Sequence, residues 1–360
     1  MRLSARSSEK AAEYNRYIRS KWIALMVLAL VLFAVCVLAV SVGSSGLSLW
    51  EIVKALFGQG TVKSRTIIWN LRMPRVAAGI GVGIALAMTG CVMQNVLRNP
   101  LASASTLGVT QGASFGAAFA IVQLGAGVQI GNAGAAAAIA VTNPYMVTVC
   151  AFLGGIATTA VVLGLSRIGN VTPYTMILAG VALSSLFTGA TTLIQYFADD
   201  VLISTVVYWT FGSLGRAGWR EIALIFLFSG LAFLYFIFNR WNYNAMESGT
   251  PTAKSLGVPV DSLILISMVV CSLISAVSVA FVGCINFIGL IAPHIVRRFV
   301  GSDYRFLLPC SALMGAVIMI AADIVSRMLV APTVLPIGAL TSFLGAPLFL
   351  YMIIKKGNIT

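Results

Sequence analysis

Long apolar stretches, separated by short polar and basic turns, dominate the chain. No Asp, Glu, Lys or Arg occurs between Arg98 and Arg167, or between Asp261 and Arg297. A helix that crosses a bilayer needs about 20 apolar residues, so each of these intervals is long enough for more than one crossing. The pattern therefore predicts an all-α, polytopic membrane protein with about ten transmembrane helices.

The predicted crossings are bounded by basic, acidic or proline-containing turns. They are Trp22–Val42, Val76–Leu97, a third segment from Gly108 onward, Tyr145–Leu165, Met176–Phe197, Ile222–Asn239, Leu263–Gly283, Phe287–Val296, Phe306–Arg327 and Gly338–Ile354. The segment around Val201–Leu214 is ambiguous, so hydropathy alone also permits about one crossing more or fewer.

Smaller features refine these segments. Between the first and second crossings, an outside loop over Leu47–Asn70 contains an amphipathic piece with apolar residues at helical spacing from Leu49 to Leu56. Pro74 fits the first turn of the second crossing, where its missing N–H costs nothing. Glycines at 79 and 83, and again at 108, 112 and 116, predict close contact between helices.

Composition and charge support the same class. Of the 360 residues, 59% are hydrophobic and 9% are charged, whereas soluble domains carry about 25% charged residues. The net charge of +13 comes from short turns between apolar segments and not from a basic helix face. This arrangement predicts membrane topology, with both termini cytoplasmic, and no nucleic-acid partner.

The polar N-terminus divides the chain into two predicted parts. Residues 1–21 form a basic cytoplasmic segment, which is either a short amphipathic surface helix or a disordered tail. Residues 22–356 form the transmembrane domain. The first crossing is too long for a signal-peptide core and lacks a small-residue cleavage site, so we expect it to be retained.

Enzymatic and metal chemistry find little support in the residues. No GxxxxGK[ST] sequence is present to cradle nucleotide phosphates. The six cysteines lie singly, without CxxC pairs, and His294 is the only histidine. We therefore expect neither catalytic residues nor a metal site nor a cofactor in this chain. For His294 we expect a polar helix end or a contact with a cytoplasmic partner.

One pair of charges lies inside a predicted crossing. Asp323 and Arg327 are four residues apart, and so share one helix face. They form either a self-paired couple at an outer helix end or part of a larger rim. The topology places Arg327 with Arg72 and Arg75 on the outer surface, where three guanidiniums would suit bidentate capture of carboxylates on another protein. Positioning of the second helix by Arg72 and Arg75 is the rival interpretation.

Several motifs follow one another in an order that resembles a known family. They are Gln94 with Arg98-Asn-Pro-Leu-Ala102 and Leu107-Gly108, a loose match over Asn244–Gly257, and Phe287-Ile-Gly-Leu-Ile-Ala-Pro-His-Ile-Val-Arg297 with Gly301, Asp303, Arg305 and Pro309. Over residues 65–356 the chain is similar to the FecCD-type permeases, the membrane subunits of bacterial ABC importers for iron–siderophores, haem and vitamin B12. Ala104 and Val334 depart from the family pattern, which commonly has proline and glutamate in these segments.

The resemblance implies a type II ABC importer permease architecture. It implies a homodimer of this subunit, two separate ATPase subunits that bind ATP and Mg, and an extracytoplasmic substrate-binding protein. The complex would lie in the bacterial cytoplasmic membrane, and the fifth and tenth crossings of both copies would line the pathway. The cargo would be an iron chelate, an iron–siderophore first, with haem or vitamin B12 as the other candidates.

The resemblance also implies roles for particular residues. Arg72, Arg75 and Arg327 match positions that dock the binding protein in the family. The loop Ala253, Lys254, Ser255, Leu256 and Gly257 would form a short helix that couples to the ATPase, with Pro251 in its first turn and Gly257 as its stop. Thr172, Pro173, Tyr174 and Thr175, at the entrance of a pore-lining helix, would form part of a cytoplasmic gate.

An ion-coupled or passive multi-pass carrier is the alternative function class. Such carriers need acid or histidine relays at mid-membrane depth, and the sequence shows none beyond Asp323. Dependence of transport on a neighbouring ATPase would distinguish the two classes.

Overall fold

The computed structural model describes residues 2–43, 46–127, 141–168, 173–331 and 333–357. Its α-helices are α1 Arg2–Ser41, α2 Leu49–Leu56, α3 Val62–Thr66, α4 Met73–Val96, α5 Val109–Val122, α6 Pro144–Ile168, α7 Pro173–Tyr196, α8 Asp200–Thr210, α9 Trp219–Phe238, α10 Arg240–Glu247, α11 Thr250–Ser255, α12 Val260–Val282, α13 Ile288–Val300, α14 Tyr304–Met328 and α15 Ile337–Gly357. A π-helix, Ile67–Arg72, joins α3 to α4, and a short 3₁₀-helix, Leu214–Arg216, precedes α9.

The predicted all-helical membrane fold is confirmed. Within the described residues, seven helical stretches are long and apolar enough to cross a membrane. Two shorter apolar helices, Val109–Val122 and Ile337–Pro347, correspond to the third and tenth predicted crossings. The eighth corresponds to α13, a 13-residue helix. Each predicted crossing therefore contains a helix, and two of these helices, α5 with 14 residues and α13 with 13, are shorter than a full crossing.

The first helix runs without a break from the basic N-terminal segment into the first crossing. α1 spans 40 residues, so the boundary predicted at residue 21 is not a boundary in the backbone. Lys21 is almost completely buried and its ammonium lies over the ring of Phe306 at 5.6 Å. The polar segment thus continues into the crossing as one helix.

The second crossing also begins earlier than the sequence indicates. Helical backbone runs from Val62 through α3 and the π-helix into α4. Pro74 lies in the first turn of α4, as predicted. Because proline lacks the N–H that would continue an α-helical ladder, the backbone immediately before it widens, and the N–H of Met73 donates to the carbonyl of Ile68. The expected loop over residues 47–70 is therefore largely helical, with the amphipathic α2 confirmed.

α4 is the centre of the core. It packs on α14, α12, α13 and α9, and most of its residues are buried. Two glycines allow these close approaches. A Cβ added at Gly83 would lie 2.6 Å from the carbonyl oxygen of Gly315 on α14, and one added at Gly90 would overlap the backbone of Gly289 on α13. The glycine signal in this segment therefore reports backbone-to-backbone packing.

α5 and α6 form a second glycine-mediated pair. A Cβ at Gly112 or Gly116 would overlap the backbone of α6 at Gly154 or Cys150. This confirms the tight packing predicted for the third crossing. Gly108 itself lies before α5 in a left-handed conformation (φ 83°), so it begins the helix instead of packing within it.

A non-helical segment, residues 283–287, separates α12 from α13 in the interior. It meets the turn after α8: the N–H of Ser213 donates to the carbonyl of Val282 at 2.7 Å. Gly283 has φ 84°, which a side chain would disfavour. Irregular backbone at membrane depth is tolerated where protein buries it or a cavity solvates it. The ambiguous segment around Val201–Leu214 is thus the short helix α8 followed by this irregular turn.

Candidate functional site

The predicted arginine cluster lies where α4 begins and α14 ends. This end of the helix pair is called the outer end, after the predicted topology. The Arg75 Nε lies 2.6 Å from Asp323 Oδ1, and the Arg327 Nε lies 2.9 Å from Asp323 Oδ2. The Asp323 side chain is 2% exposed, and both arginine side chains are mostly buried. The predicted pairing of Asp323 with Arg327 is therefore confirmed, and Arg75 joins it from the other helix.

Arg72 and Arg327 also hold the end of α1. Arg72 Nη1 donates to the carbonyl oxygens of Val40 and Ser41, and Arg327 donates to those of Ala39 and Val42 at 3.1 and 3.0 Å. The last carbonyls of a helix have no partner within the helix and carry partial negative charge. α1 has no basic residue in its own last turn, so the neighbouring helices provide the cations.

The cluster thus brings together all three arginines that the sequence predicted. The guanidiniums of Arg75 and Arg327 share the Asp323 carboxylate, and Arg72 adds a third cation beside them, which leaves positive charge in excess. A cavity of about 730 Å³ lies beside them, lined also by Arg216 and Trp219. The internal contacts give these arginines the positioning role that was the rival interpretation. Docking of a binding protein stays a prediction, and the excess charge around an open cavity is compatible with it.

The opposite end of the same helix pair carries the predicted coupling helix. α11 begins at Thr250, with Pro251 in its first turn, and ends at Ser255. Gly257 follows with φ 83°, a conformation that glycine adopts without strain, and its N–H donates to the carbonyl of Lys254. The predicted short helix with its proline start and glycine stop is confirmed. It begins three residues before Ala253.

α11 presents one side to the protein and the other outward. Ala253 is completely buried, whereas the adjacent Leu256 is 68% exposed. Lys254 pairs with Asp261 at the start of α12 across 3.3 Å, with both side chains largely in solvent. An exposed leucine held between fixed turns is a candidate contact for a partner protein.

Two asparagines that sequence reasoning missed attach α10 to the core. Asn95 Nδ2, near the end of α4, donates to the carbonyl of Tyr243 and to Glu247 at 3.1 Å each. Asn244 Nδ2 donates to Asp303 at 3.2 Å, and its Oδ1 accepts from the N–H of Tyr304 at 2.8 Å. The signal that the sequence offers for these contacts is a pair of amide side chains close to Asp303, the residue that caps the start of α14.

Titratable groups at this end are held in one protonation state. Burial raises the pKa of Asp303, but hydrogen bonds from Arg305 and Asn244 outweigh it, and the net pKa lies below its usual value. Burial raises the pKa of Tyr243, whose hydroxyl lies 2.7 Å from that of Ser267. Asp303 therefore stays ionised and accepts its hydrogen bonds, whereas Tyr243 stays neutral and either hydroxyl can donate in its bond with Ser267.

The predicted gate lies next to the coupling region. Thr172 falls outside the described residues, and Pro173, Tyr174 and Thr175 form the first turn of α7. A cavity of about 560 Å³ is lined by Pro173 and Met176 on α7 and by Thr250 and Asp261 beside α11. Pro173 of the predicted gate and Thr250 of α11 therefore line the same cavity.

The described residues offer few other candidate sites. Within the described part of the chain, no three His, Cys, Asp or Glu side chains come close enough to hold a metal ion. The lone His294 is half-buried on α13. The α4–α14 pair thus carries a cluster of arginines at one end and, at the other, α10 with α11 (residues 240–257), called here the coupling hairpin.

Comparison with known proteins agrees with the motifs. The model of the FecCD transport family matches residues 30–355. A protein of Methanocaldococcus jannaschii, provisionally named an ABC transporter permease, is 50% identical over 95% of this chain and 97% of its own length. The Fe(3+)-citrate import system permease of Bacillus subtilis is 34% identical over 93% of this chain and 96% of its own.

A solved structure shares the architecture. It is an inward-facing conformation of an ABC transporter provisionally described as of the metal-chelate type. It has a TM-score of 0.78 and 31% identity, and covers 92% of this chain and 98% of that one.

Proposed function

Because the chain belongs to the FecCD transport family, it is a membrane permease subunit of an ABC importer, and we propose that it translocates an iron chelate handed over by an extracytoplasmic binding protein. An iron–siderophore is the first candidate cargo, and haem or vitamin B12 the others. The name of the Bacillus relative, which refers to iron citrate, supports an iron chelate.

The proposed complex contains two copies of this chain, two ATPase subunits and one binding protein. Support for a second copy comes from α7 and α15, whose apolar side chains are largely uncovered. Almost none of the apolar stretch of α7 is buried, and Phe343 on α15 is 82% exposed. In the complex these helices would face the partner copy and the pathway between them. The termini would lie in the cytoplasm of a prokaryotic cell.

The coupling hairpin is the observation that carries this proposal. A short helix held by two turns, with Leu256 exposed at its end, is the shape that fits a groove on another protein. Its partner would be the ATPase that binds ATP and Mg. Energy for transport would then reach the chain from outside, which agrees with the lack of nucleotide-binding sequence.

The alternative, an ion-coupled carrier, finds no titratable relay in the described crossings. The one buried carboxylate in a long crossing, Asp323, is bonded to two arginines at the rim. Both carboxylate oxygens are thus engaged by guanidinium groups of the protein itself, an arrangement that suits a structural ion pair.

Leu256→Asp tests the coupling. We expect the purified complex to keep its membrane expression while chelate uptake falls about tenfold or more, because a buried apolar contact with the ATPase is replaced by a charge. Leu124→Asp, at an exposed leucine beyond α5, is the matched control and should transport normally. Normal uptake by the Leu256 variant would exclude this residue from coupling.

Energy dependence tests the function itself. Uptake of radioiron chelates should stop when ATP is depleted with the proton gradient clamped, and when the partner ATPase gene is deleted. Uptake that continues under both conditions would reject the ABC mechanism and support a carrier. A panel of ferric siderophores, haem and vitamin B12 identifies the cargo in the same assay.

The gate proposal has its own test. A cysteine at Thr175 should react with a water-soluble maleimide in one nucleotide state and be protected in the other, since gating changes the space beside α11. A cysteine at Tyr196, at the far end of α7, is the control. Equal labelling of Thr175 in both states would contradict a gate here.

A further inference from the structure

A cavity of about 550 Å³ lies between the turn after α4, the start of α5, the segment before α13 and the face of α15. Its polar wall consists of Ser105, Thr106, Gln111 and Asn286, and two phenylalanines, Phe287 and Phe349, lie among its apolar residues. The volume is that of sites for small ligands. Neither the rim nor the coupling hairpin contributes to it.

The polar wall presents fixed hydrogen-bonding groups. Thr106 Oγ1 donates to the carbonyl of Ser103 and accepts from its N–H, at 2.8 and 2.9 Å. The hydroxyls of Ser103 and Ser105 lie 2.9 Å apart. Gln111 Oε1 is buried and finds no partner among the described residues. A buried acceptor without a partner calls for an explanation, and a ligand group is one.

The backbone on the opposite wall is strained. Phe287 has φ 67°, one of two non-glycine residues described with positive φ. A Cβ at Gly345 of α15 would lie 2.5 Å from the Phe287 ring, so α15 approaches this residue closely. Left-handed conformations at bulky residues cost about 1–3 kcal/mol and cluster at ligand sites. The strain fixes the ring at the edge of the cavity.

Charge is absent from this wall: none of the ten residues that line the cavity is Asp, Glu, Lys or Arg. An ion held at membrane depth without a counter-charge is strongly disfavoured. Carboxamides and hydroxyls can both donate and accept hydrogen bonds, so they match ligands rich in carbonyl and hydroxyl oxygens.

We propose that this cavity is a transit site for the cargo, and that it selects electrically neutral, oxygen-rich chelates over multiply charged ones. Gln111 and Asn286 hydrogen-bond the outer groups of the chelate, while Phe287 and Phe349 contact its apolar parts. This inference rests on the proposed function and specifies its substrate class.

The test uses the permease reconstituted with its ATPase partner in nanodiscs. The probes are ferrichrome, a neutral ferric trihydroxamate, and ferric enterobactin, a trianionic ferric tricatecholate. Direct binding of each is measured for the wild type, Gln111→Leu, Asn286→Leu and the control Gln123→Leu. Gln123 is an exposed residue just after α5, away from the cavity. Because Gln111 Oε1 has no partner among the described residues, its removal breaks no hydrogen bond that the structure shows for that oxygen.

We expect the wild type to bind ferrichrome about tenfold more tightly than ferric enterobactin. Gln111→Leu and Asn286→Leu should each weaken ferrichrome binding about fivefold, the equivalent of one lost hydrogen bond. Gln123→Leu should leave it unchanged. Folding of each variant is checked by its elution and melting profiles.

Three results would overturn the inference. They are preference for the charged chelate, unchanged ferrichrome binding in both folded cavity variants, and an equal loss in the control. If uptake of chelates by cells remains ATP-dependent in these cases, the proposed function survives. Absence of both binding and ATP-dependent uptake for every chelate in the wild type would reject the proposed function as well.

Discussion

The two ends of the α4–α14 pair are built from different chemistry. At the outer end, Arg75 and Arg327 flank the buried Asp323, and arginines cap the carbonyls of α1. At the inner end, Asn95 and Asn244 join α10 to the core by amide hydrogen bonds, two with backbone groups and two with the carboxylates of Glu247 and Asp303. Between them, Gly83 and Gly315 bring the two backbones together.

This difference in chemistry implies that the two ends are held in different ways, one by ion pairs and the other by directional hydrogen bonds. A buried ion pair resists removal of one partner strongly, because a charge is then left uncompensated. An amide hydrogen bond contributes about 0.5–1.5 kcal/mol and depends on geometry. The outer end is therefore fixed by charge, while the inner end fixes the orientation of α10 and can transmit movement of the hairpin to α4 and α14.

Loss of the central carboxylate should have the largest effect. In Asp323→Asn, the two arginines lose their shared counter-charge, and we expect about 3–5 kcal/mol less stability. Thermal unfolding followed by size-exclusion fluorescence measures this loss. Asp199→Asn, at an exposed acid before α8, is the control. A melting temperature equal to the wild type would show that the ion pairs do not fix the outer end.

Removal of Asn244 should have a smaller effect on stability and a selective one on transport. Asn244→Ala leaves the N–H of Tyr304 without its acceptor, at a cost of about 1–3 kcal/mol. We expect basal ATPase activity of the complex to persist while uptake per ATP falls. Asn242→Ala, which loses a bond only to Asn239, is the control. Unchanged uptake per ATP would mean that α10 moves independently of α14.

Charge reversal at the rim tests its second role. Arg72→Glu should lower the association rate of the binding protein about tenfold, and more at low salt, since screening is weakest there. Arg72 donates to the carbonyls of Val40 and Ser41, so this variant leaves the pairs of Asp323 with Arg75 and Arg327 in place. Arg65→Glu on α3 is the control. Normal capture after rescue of expression would leave Arg72 as a helix anchor alone.

The pH dependence of the inner end should be the smallest effect. The folded pKa of Asp303 is depressed, so its contribution to stability is present above the unfolded pKa of about 4 and is lost as pH falls through the folded value. Unfolding curves below about pH 4 should therefore separate the wild type from Asp303→Asn less with each step of acidification. A gap that widens on acidification would contradict this assignment.

Much of the fold could be predicted from the sequence because apolar length and glycine spacing act locally. The glycines at 83, 112 and 116 lie where close packing was expected. The short helix around Ala253 followed from Pro251 and Gly257, whose backbone preferences need no tertiary context. The union of three arginines at the rim followed from topology.

What could not be predicted depends on distant partners. That Arg72 and Arg327 hold the end of α1 requires knowledge of where α1 packs. The Asn95 and Asn244 contacts join residues more than 50 positions apart, and amide side chains carry no pattern that reveals such pairing. The continuity of α1 through residue 21 was missed because basic composition dominates that segment.

The π-helical turn before Pro74 sets the rotation of the preceding helical segment about the helix axis, relative to α4. One extra residue in a helix rotates the preceding part by about 100° relative to the following part. The π-helix carries Trp69, whose indole N–H donates to Ala55 of α2 and whose carbonyl accepts from Trp219 of α9. Deleting one residue here would turn the tryptophan away from both neighbours while leaving α4 in place. A single inserted residue before Pro74 thus sets how the contacts of Trp69 with α2 and α9 are oriented relative to α4.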